Sequence, residues 1–570
     1  MISAGRPFRQ PPIPLAVVFI AVGFWLKCCA AAVIVDNWGG HASADAHSCW
    51  AETCVTTLAR LLQKSYMSQA GKKSYGQILK SSVLVGGSAS FNVLIRVVRA
   101  KAVALILGPT GVGLLGFYNS ITELTRCVAG MGVSDSGGRQ IADAAGSGEK
   151  NLPRIAATAA ALRRVTLFSG ILGAILLFLF CKPVSQVTFG ETTHIWPVAL
   201  LGFAVFFDVV AGGGGAILQG THRIADLAKN RVLGILFGTI LAIPIVYMFR
   251  ENGIAPAIIC TSIAGAITSW WYVRKLPMQR VKLATQQFFE EAKPLLSFGI
   301  TFMATTFMTL GGAYVVRVLL LRKLDLEAAG CFQAAWALGG LYVGFILQAM
   351  GADFFPRLTS VATNKVECNR LVNEQAEMGA LIAVPGSLAT LTFAPIIVHV
   401  FYTSDFQPAV QVLHWICLGM TLRVVSWPMG YMLVAKGERR LFFWSELFKN
   451  SFFVALVWFC VNTFGLDGAG IAFFGMYVVY WIGVYFLVRR LSGFRWSKMN
   501  VRLISIFVPV TLIVFLSQYL LPPLAAGIIG TLATIVTTIC ALRTLFTLIP
   551  VERLPGTVRR ILALFHLLPT

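Results

Sequence analysis

Ionisable side chains interrupt several long apolar segments of this 570-residue chain. At the centre of a membrane-spanning helix each charge costs about 2.5 to 3.5 kcal/mol, so such residues face a water-filled cavity or an oppositely charged partner. Guanidinium and ammonium groups bind phosphate oxygens, and guanidinium does so through paired hydrogen bonds. The basic residues within these segments predict a site for an anionic ligand. They are Arg96, Arg99, Lys101, Arg126, Arg317 and Arg423.

The highest density of positive charge lies between residues 96 and 126. Arg96 and Arg99 are spaced i and i+3, so they share one face of a helix, and no acidic residue lies near them in that segment. Together with Lys101 and Arg126 they are predicted to form a wall that binds the anion. Glu123 and Arg126 have the same spacing, and mutual neutralisation is the alternative for that pair.

Further polar residues lie in the second half of the chain. Arg317 and Arg423 are predicted to belong to the same site, and the amides of Gln333 and Gln348 are predicted to contact polar groups of the ligand. Arg317 lies near the end of its apolar segment, so extension of its charge to the membrane surface is an open alternative.

Composition indicates an integral membrane protein. Hydrophobic residues make up 57% of the chain and charged residues 12%, whereas a soluble domain carries roughly a quarter charged residues. The formal net charge is +23, but Lys and Arg occur in short clusters between apolar runs and form no basic soluble face. No nucleic-acid partner is expected. The 12 cysteines are mostly single residues within apolar runs, which predicts no disulfide framework and no metal site.

Apolar runs of about 18 residues or more predict membrane-spanning helices. Alternate connections between them hold most of the Lys and Arg, which are retained on the cytoplasmic side. Both ends of the helical bundle are therefore expected to be cytoplasmic. The predicted spans cover residues 79–106, 113–133, 160–181, 195–219, 230–249, 254–273, 295–321, 328–350, 377–401, 409–434, 441–463, 469–488, 501–521 and 523–548.

The two halves of the bundle contain similar sequence segments that are separated by a nearly constant number of residues. WWYVRKLP at 270–277 matches YFLVRRLS at 485–492, and SQVTFG at 185–190 matches VHVFYT at 398–403. Two units of six helices each would share one topology and be related by an axis along the membrane normal, as in parallel-repeat transporters. Chance similarity between apolar helices is the alternative. The repeat predicts two lobes around a central cleft, followed by two extra C-terminal helices.

Three stretches of the chain resemble a known family. LGPTGVGLLGFYNSITELTRCVAGMGV from residue 107, FFPRLTSVATNK from residue 354 and GYMLVAKGERRLFFWSE from residue 430 are similar to the O-antigen translocases. These Wzx-type lipid-linked oligosaccharide flippases belong to the MOP exporter superfamily and include the flippase for enterobacterial common antigen. The resemblance covers about residues 67–491.

The resemblance implies an all-α, two-lobed membrane protein with a parallel repeat of 6+6 helices in the bacterial inner membrane. It implies transfer of an undecaprenyl-pyrophosphate-linked oligosaccharide from the cytoplasmic to the periplasmic leaflet. A pyrophosphate fits the basic wall predicted above, and the polyprenyl chain can remain in the lipid. The implied partners are this glycolipid and membrane lipid, with a polysaccharide polymerase and a chain-length regulator as further candidates.

Acidic residues within the spans are candidates for binding a coupling ion. Asp208 precedes AGGGGA at 211–216, where glycines could loosen a helix and expose carbonyl oxygens. Close helix packing by small residues explains that stretch equally well. Glu123 is the second candidate. Glu446 and Lys449 begin a different span and are expected to form an ion pair at the membrane interface.

The chain departs from the family at both ends. Residues 1–76 are predicted to be an extension, with a mis-assigned start and Met67 as the family-like beginning. Helices after residue 491 carry no charge between Leu503 and Leu542 and are expected to face lipid. The predicted units are an N-lobe at 77–276, a linker at 277–292, a C-lobe at 293–491 and a C-terminal segment at 492–570.

Two other functions remain open from the sequence. A multidrug antiporter of the same superfamily would export organic cations, which the excess of Arg in the first two spans opposes. A polysaccharide polymerase or glycosyltransferase would need catalytic groups on a sizeable outer loop, and every predicted outer loop is short. The stretch AGSGEKN at 145–151 lacks the spacing of a nucleotide-binding loop. We expect a transporter without a cofactor.

The loop charges make a testable prediction about topology. Single cysteines introduced near Lys365 and Lys436 should be shielded from a membrane-impermeant thiol reagent in intact cells, because these basic loops stay inside. Cysteines near Leu324 and Ser404 should react. Labelling in the opposite pattern would reverse the orientation.

Overall fold

The computed structural model describes residues 72–146, 152–276 and 284–548. The predicted extension before residue 72 lies outside these residues. The described part is helical almost throughout and contains no strand. Its α-helices are α1 (Lys72–Gly130), α2 (Val133–Gly146), α3 (Leu152–Leu179), α4 (Cys181–Phe189), α5 (Ile195–Gly220), α6 (Ile224–Phe249), α7 (Ile254–Arg274), α8 (Thr285–Lys323), α9 (Leu326–Ser360), α10 (Lys365–Thr392), α11 (Ala394–Phe401), α12 (Ala409–Ala435), α13 (Arg439–Phe464), α14 (Asp467–Ser492), α15 (Lys498–Leu520) and α16 (Pro523–Leu548).

Helix α1 contains the first two predicted spans. Gly108 breaks it, with φ 65° and ψ −162°, a backbone conformation that glycine adopts without steric cost. Pro109 follows and has no N–H to continue the helical hydrogen bonds. The connection expected between residues 106 and 113 is therefore a sharp break at a Gly-Pro pair.

Most predicted spans coincide with continuous helix in the described residues, whereas 113–133 runs past the end of α1 and 377–401 covers two helices. By length and hydropathy alone, 9 helical stretches there could cross a membrane, or up to 10 if a bent pair counts as one span. In this count the two helices between Ile224 and Arg274 form one stretch. The long helices α1 and α8 are outside the set, and they carry most of the basic residues singled out above.

The predicted span 377–401 is wrong in its shape. It consists of two helices, α10 and α11, which meet at an angle of 79°. Pro395 lies in the first turn of α11, where its missing N–H breaks no hydrogen bond within the new helix. Hydropathy continues across this bend because both helices are apolar. The short helix α4 after α3 occupies the matching place in the first half.

The helices form two groups that α8 connects. In the first group, α1, α3, α5 and α7 share a buried cluster that includes Leu201, Val205 and Ile254. The second group, α9 to α14, contains a larger one that includes Leu413 and Ile416 and extends onto α1 and α8. Below, the basic end means the end of the bundle where α7 and α14 finish and α8 and α13 begin.

Helix α8 packs on both groups. Near its start the Ser136 hydroxyl donates to the Leu295 carbonyl at 2.6 Å. A Cβ added to Gly132 would lie 2.2 Å from the Gly299 carbonyl oxygen, so the two backbones touch. The second half of α8 packs on α13. Gly311 precedes the contact with α13, which begins at Gly312 against Asn450.

The C-terminal hairpin of α15 and α16 packs on α10 and α12. Phe507 and Val514 are buried against the larger cluster, whereas Ile513 is exposed on the opposite face. A polar contact joins the hairpin to α10. The Asn500 amide donates to the side-chain oxygen of Asn373 at 2.9 Å and to its carbonyl at 3.0 Å.

The Asn373–Asn500 contact predicts a stability effect. Asn500 is only 2% exposed, so Asn500→Ala removes two buried hydrogen bonds and should destabilise the protein by about 1–3 kcal/mol. The thermal midpoint in detergent should fall. Ser505→Ala on the same helix is the control, because Ser505 is exposed and its hydroxyl binds only the local Arg502 carbonyl. Equal midpoints for the two variants would contradict the role of this contact.

Candidate functional site

A cluster of charged and amide side chains lies between the two helix groups. Arg317 of α8 donates from Nε to Oε1 of Gln333 on α9 at 2.8 Å. Gln333 also lies against α1, where a Cβ on Gly116 would be 3.1 Å from its side chain. Glu123 of α1 is close enough for its charge to act on Arg317. Arg317 therefore points into the protein and does not extend to the membrane surface.

Asp208 of α5 extends this cluster within the first group. Its carboxylate lies beside the Ser262 hydroxyl of α7 and within range of the charges of Arg126 and Glu123. Glu123 and Arg126 are exposed near the end of α1. Glu123 is within range of both Asp208 and Arg317, and Arg126 is within range of Asp208, so this exposed pair borders a cleft between the groups. We call Glu123, Arg126, Asp208, Arg317 and Gln333 the central cluster.

Arg99 of α1 contacts a different face of α7 from the one that Asp208 contacts. Its Nη1 is 3.5 Å from Oγ1 of Thr261, the residue that precedes Ser262. Successive helical residues point about 100° apart, so the two contacts are on separate faces. Arg99 enters a narrow cavity of about 20 Å³ between α1, α6 and α7. Arg96 is exposed on α1, and its charge acts on Arg99.

Lys101 contacts backbone oxygens of the second group. Its Nζ donates to the carbonyls of His399 at 3.2 Å and Val400 at 2.6 Å, in the last turn of α11. The final carbonyls of a helix have no partner within it and carry partial negative charge. The ammonium of Lys101 thus joins α1 to α11 at the end of the bundle opposite the basic end.

Arg322 makes the reciprocal contact, which sequence analysis missed. Its guanidinium, at the end of α8, donates to the carbonyl of Gln186 and, at 2.9 Å, to that of Val187 near the end of α4. A cation of α1 thus caps a short helix of the second group, and a cation of α8 caps a short helix of the first. The sequence repeat aligns these two short helices. However, the sequence contains no signal that identifies the helix end to which either cation binds.

Backbone contacts close the same end. A Cβ on Gly330 would lie 1.9 Å from the Pro109 carbonyl oxygen, and one on Gly113 would lie 2.6 Å from the Leu326 carbonyl oxygen. Helices α1 and α9 therefore touch without intervening side chains. At the end opposite the basic end, this contact closes the space between α1 and α9. The cleft at the central cluster therefore does not open to the outside between these two helices.

Gln348 and Arg423 lie apart from the central cluster. Gln348 is exposed on α9, about 22 Å further along the helix than Gln333 at about 1.5 Å per residue. Arg423 of α12 is partly buried, with Nη1 3.8 Å from the Met420 sulfur. The structure thus divides the predicted residues among the central cluster, the Arg99 cavity, the Lys101 contact and these two positions.

The expected pair of Glu446 and Lys449 forms within the second group, where neighbouring helices bury it. Lys449 contacts Glu446, and their side chains are only 16% and 12% exposed. The Lys449 ammonium lies 5.2 Å from the ring centre of Tyr480, whose hydroxyl is 3.4 Å from the other Glu446 oxygen. The i, i+3 spacing predicts the pair correctly.

The family follows from the match along the chain. A family model described as "Polysaccharide biosynthesis protein" matches residues 102–411. The chain belongs to this family. It is 22% identical over 424 residues to the lipid III flippase of Escherichia coli (strain K12), over 72% of this chain and 99% of the relative. The lipid III flippase of Shigella flexneri matches to the same extent.

Solved structures share the fold of this polysaccharide biosynthesis family member. An inward-facing multidrug resistance MATE family transporter of the MOP superfamily matches with a TM-score of 0.60 and 16% identity, over 70% of this chain and 94% of that one. The lipid II flippase MurJ in an inward closed conformation matches with 0.58 and 13%, over 82% and 99%. The chain therefore has the all-helical fold of the MOP superfamily.

The two cation caps predict a conformational effect. Each is worth about 1 kcal/mol, so the double variant Lys101→Ala, Arg322→Ala should raise the ratio of open to closed states at that end by about 30-fold. Spin labels at Thr192 and Asp405, in a variant without native cysteines, should report a longer distance by electron–electron resonance. Lys182→Ala, which removes an exposed cation of α4, should leave the distance unchanged. An unchanged distribution in the double variant would show that the caps do not hold this end closed.

Proposed function

We propose that this chain is a flippase for a polyprenyl-pyrophosphate-linked oligosaccharide of a bacterial surface glycan. Membership of the polysaccharide biosynthesis family and the similarity to lipid III flippases along nearly their whole length support this function. The single most informative observation is the central cluster, because it places guanidinium and amide groups in a cleft between two helix groups. Those groups match the pyrophosphate and the sugars of such a cargo.

We propose an orientation in the inner membrane with the basic end in the cytoplasm. Arg274, Lys275, Arg489 and Arg490 are all exposed at that end, as the retention of positive charge inside requires. Both ends of the helical bundle are then cytoplasmic. The contacts of Lys101 and Arg322 close the periplasmic side, so the cleft of this state is accessible from the cytoplasm.

The two helix groups act as lobes that rock about the cleft. The N-lobe is residues 77–276 and the C-lobe is residues 293–491, with the linker at 277–292 between them. The C-terminal segment from residue 492 is a support for the C-lobe, and the chain from Met67 onward is sufficient for transport. Opening toward the periplasm needs the Lys101 and Arg322 contacts to break and the cytoplasmic ends of the lobes to approach.

The head group of the cargo binds at the central cluster. Arg126 and Arg317 approach the pyrophosphate from opposite lobes, with Gln333 beside them. Arg96, Arg99 and Lys101 extend the positive wall along α1 as the lobes move, and Gln348 and Arg423 contact sugars nearer the cytoplasm. The polyprenyl chain stays in the lipid, so only the head group crosses.

Glu123 and Asp208 provide ion coupling. In the empty site they offset the charges of Arg126 and Arg317. An arriving pyrophosphate competes for the same guanidinium groups, and a proton or another cation taken up by the released carboxylates restores the charge balance. Without such an uptake, the membrane potential alone would favour outward transfer of two negative charges by roughly 4 to 5 kcal/mol, at about 2.3 kcal/mol per charge and 100 mV.

Export of organic cations is the second candidate, because MATE transporters share the fold. A cation exporter needs a net acidic cleft, whereas the central cluster combines two guanidinium groups with two carboxylates. Arg96 and Arg99 increase the positive balance nearby. The cluster therefore favours an anionic cargo. A polysaccharide polymerase or chain-length regulator would act on the product after transfer.

The test is transport by Arg126→Ala and Arg317→Ala, singly and together, in proteoliposomes that contain a polyprenyl-pyrophosphate oligosaccharide. Each loses a charge-assisted hydrogen bond of about 1.5–3 kcal/mol, so rates should fall at least tenfold. Arg126→Lys should recover little, because an ammonium cannot form a paired fork. Arg502→Ala, an exposed site on α15, is the control. Full transport by the double variant would place the head group elsewhere, and transport of organic cations alone would replace the proposed function.

A further inference from the structure

The lipid-facing side of α6 and α7 carries an apolar groove away from the central cluster. Its volume is about 430 Å³. Leu233, Phe237 and Leu241 form one wall on α6, and Ile267, Trp271 and Tyr272 form the other on α7. From Leu233 to Leu241 it extends about 12 Å at about 1.5 Å per residue. Phe237, Leu241, Ile267 and Trp271 are each about half exposed, so nothing in the described chain fills the groove.

Small residues at the helix crossing create this groove. A Cβ on Gly234 would lie 3.2 Å from the Cα of Gly265, and one on Gly238 would lie 2.9 Å from the Cα of Thr261. The two helices therefore approach closely. The large side chains on either side of the crossing project outward and form the two sides of the groove. Thr268 on the floor donates its hydroxyl to the Ala264 carbonyl at 3.0 Å, so the floor offers no free hydroxyl.

Two cations stand at the basic end of the groove. The Lys275 ammonium lies 5.1 Å from the ring centres of both Trp271 and Tyr272, which are themselves wall residues. The Arg274 guanidinium lies 5.3 Å from the ring centre of Trp270. Neither cation has an ion pair within the described residues, and both are exposed. Cation–π contacts with the aromatic rings thus position two positively charged side chains at the basic end of the apolar groove.

We propose that this groove binds one anionic phospholipid from the leaflet at the basic end, with an acyl chain between α6 and α7 and the phosphate on Arg274 and Lys275. In a bilayer the chain leaves one apolar surface for another, so the groove itself provides little selectivity. The discriminating interaction is between the unpaired cations and the net negative head group. A zwitterionic lipid of the same chain length lacks that net charge and binds more weakly.

Native mass spectrometry of the full chain in detergent tests the proposal, with dioleoylphosphatidylglycerol and dioleoylphosphatidylcholine as probes. The wild type should bind the first phosphatidylglycerol at least threefold more tightly than phosphatidylcholine. The double variant Arg274→Gln, Lys275→Gln should lose that preference. The matched control is Arg489→Gln, Arg490→Gln, which removes the repeat-related cations of α14 at the same end and should retain it.

Trp271→Ala keeps both charges but removes a groove wall and the support of Lys275, so it should weaken phosphatidylglycerol binding as well. Equal losses in the two double variants, or no preference in the wild type, would overturn the proposal. Displacement of the lipid by millimolar glycerol phosphate would indicate a phosphate site without a lipid. Tighter binding of undecaprenyl phosphate than of phosphatidylglycerol would show that the groove belongs to the carrier lipid, which also overturns the proposed occupant. None of these measurements depends on transport activity.

Discussion

The cost of placing charge in hydrocarbon governs this structure. Arg317 and Arg126 lie in long helices of an apolar bundle, and each has to find a hydrogen-bond partner, an opposite charge or water. The fold supplies all three at one place. Gln333 accepts from Arg317, the carboxylates of Glu123 and Asp208 offset both guanidinium groups, and the cleft exposes Arg126. The interior where the two lobes meet is therefore polar and unsealed, which is the condition for a cargo head group to enter it.

The positions of the helices could be predicted from the sequence because apolar runs and charged connections alternate along nearly the whole chain. The bend between α10 and α11 could not, because hydropathy does not change across Thr392 and Phe393. Asp208 and Glu123 were recognisable as charges inside spans. Their proximity was not, since it depends on how α1, α5 and α7 rotate about their own axes.

Contacts between side chains and backbone were the least predictable part. Lys101 was expected to bind cargo as part of a basic wall, yet its ammonium meets carbonyls of His399 and Val400. A carbonyl has no sequence signature, so a cation that caps a distant helix end looks the same in sequence as a cation that binds a ligand. Arg322 was overlooked for the same reason, because it lies at a span boundary where an exposed cation needs no explanation.

Helix α8 has a mechanical consequence for the whole molecule. The start of α8 contacts the first helix group through Ser136 and the Gly132–Gly299 approach, and its second half packs on α13 but also reaches α4 through Arg322. Rotation of one helix group relative to the other would therefore bend α8 or break the Arg322 contact. A bend would concentrate at Gly311, where a Cβ would meet no atom within 4 Å. The helix resists such bending elastically. Its stiffness contributes to the free-energy barrier between the two conformational states, so the turnover frequency depends on this elasticity as well as on the chemistry of cargo binding.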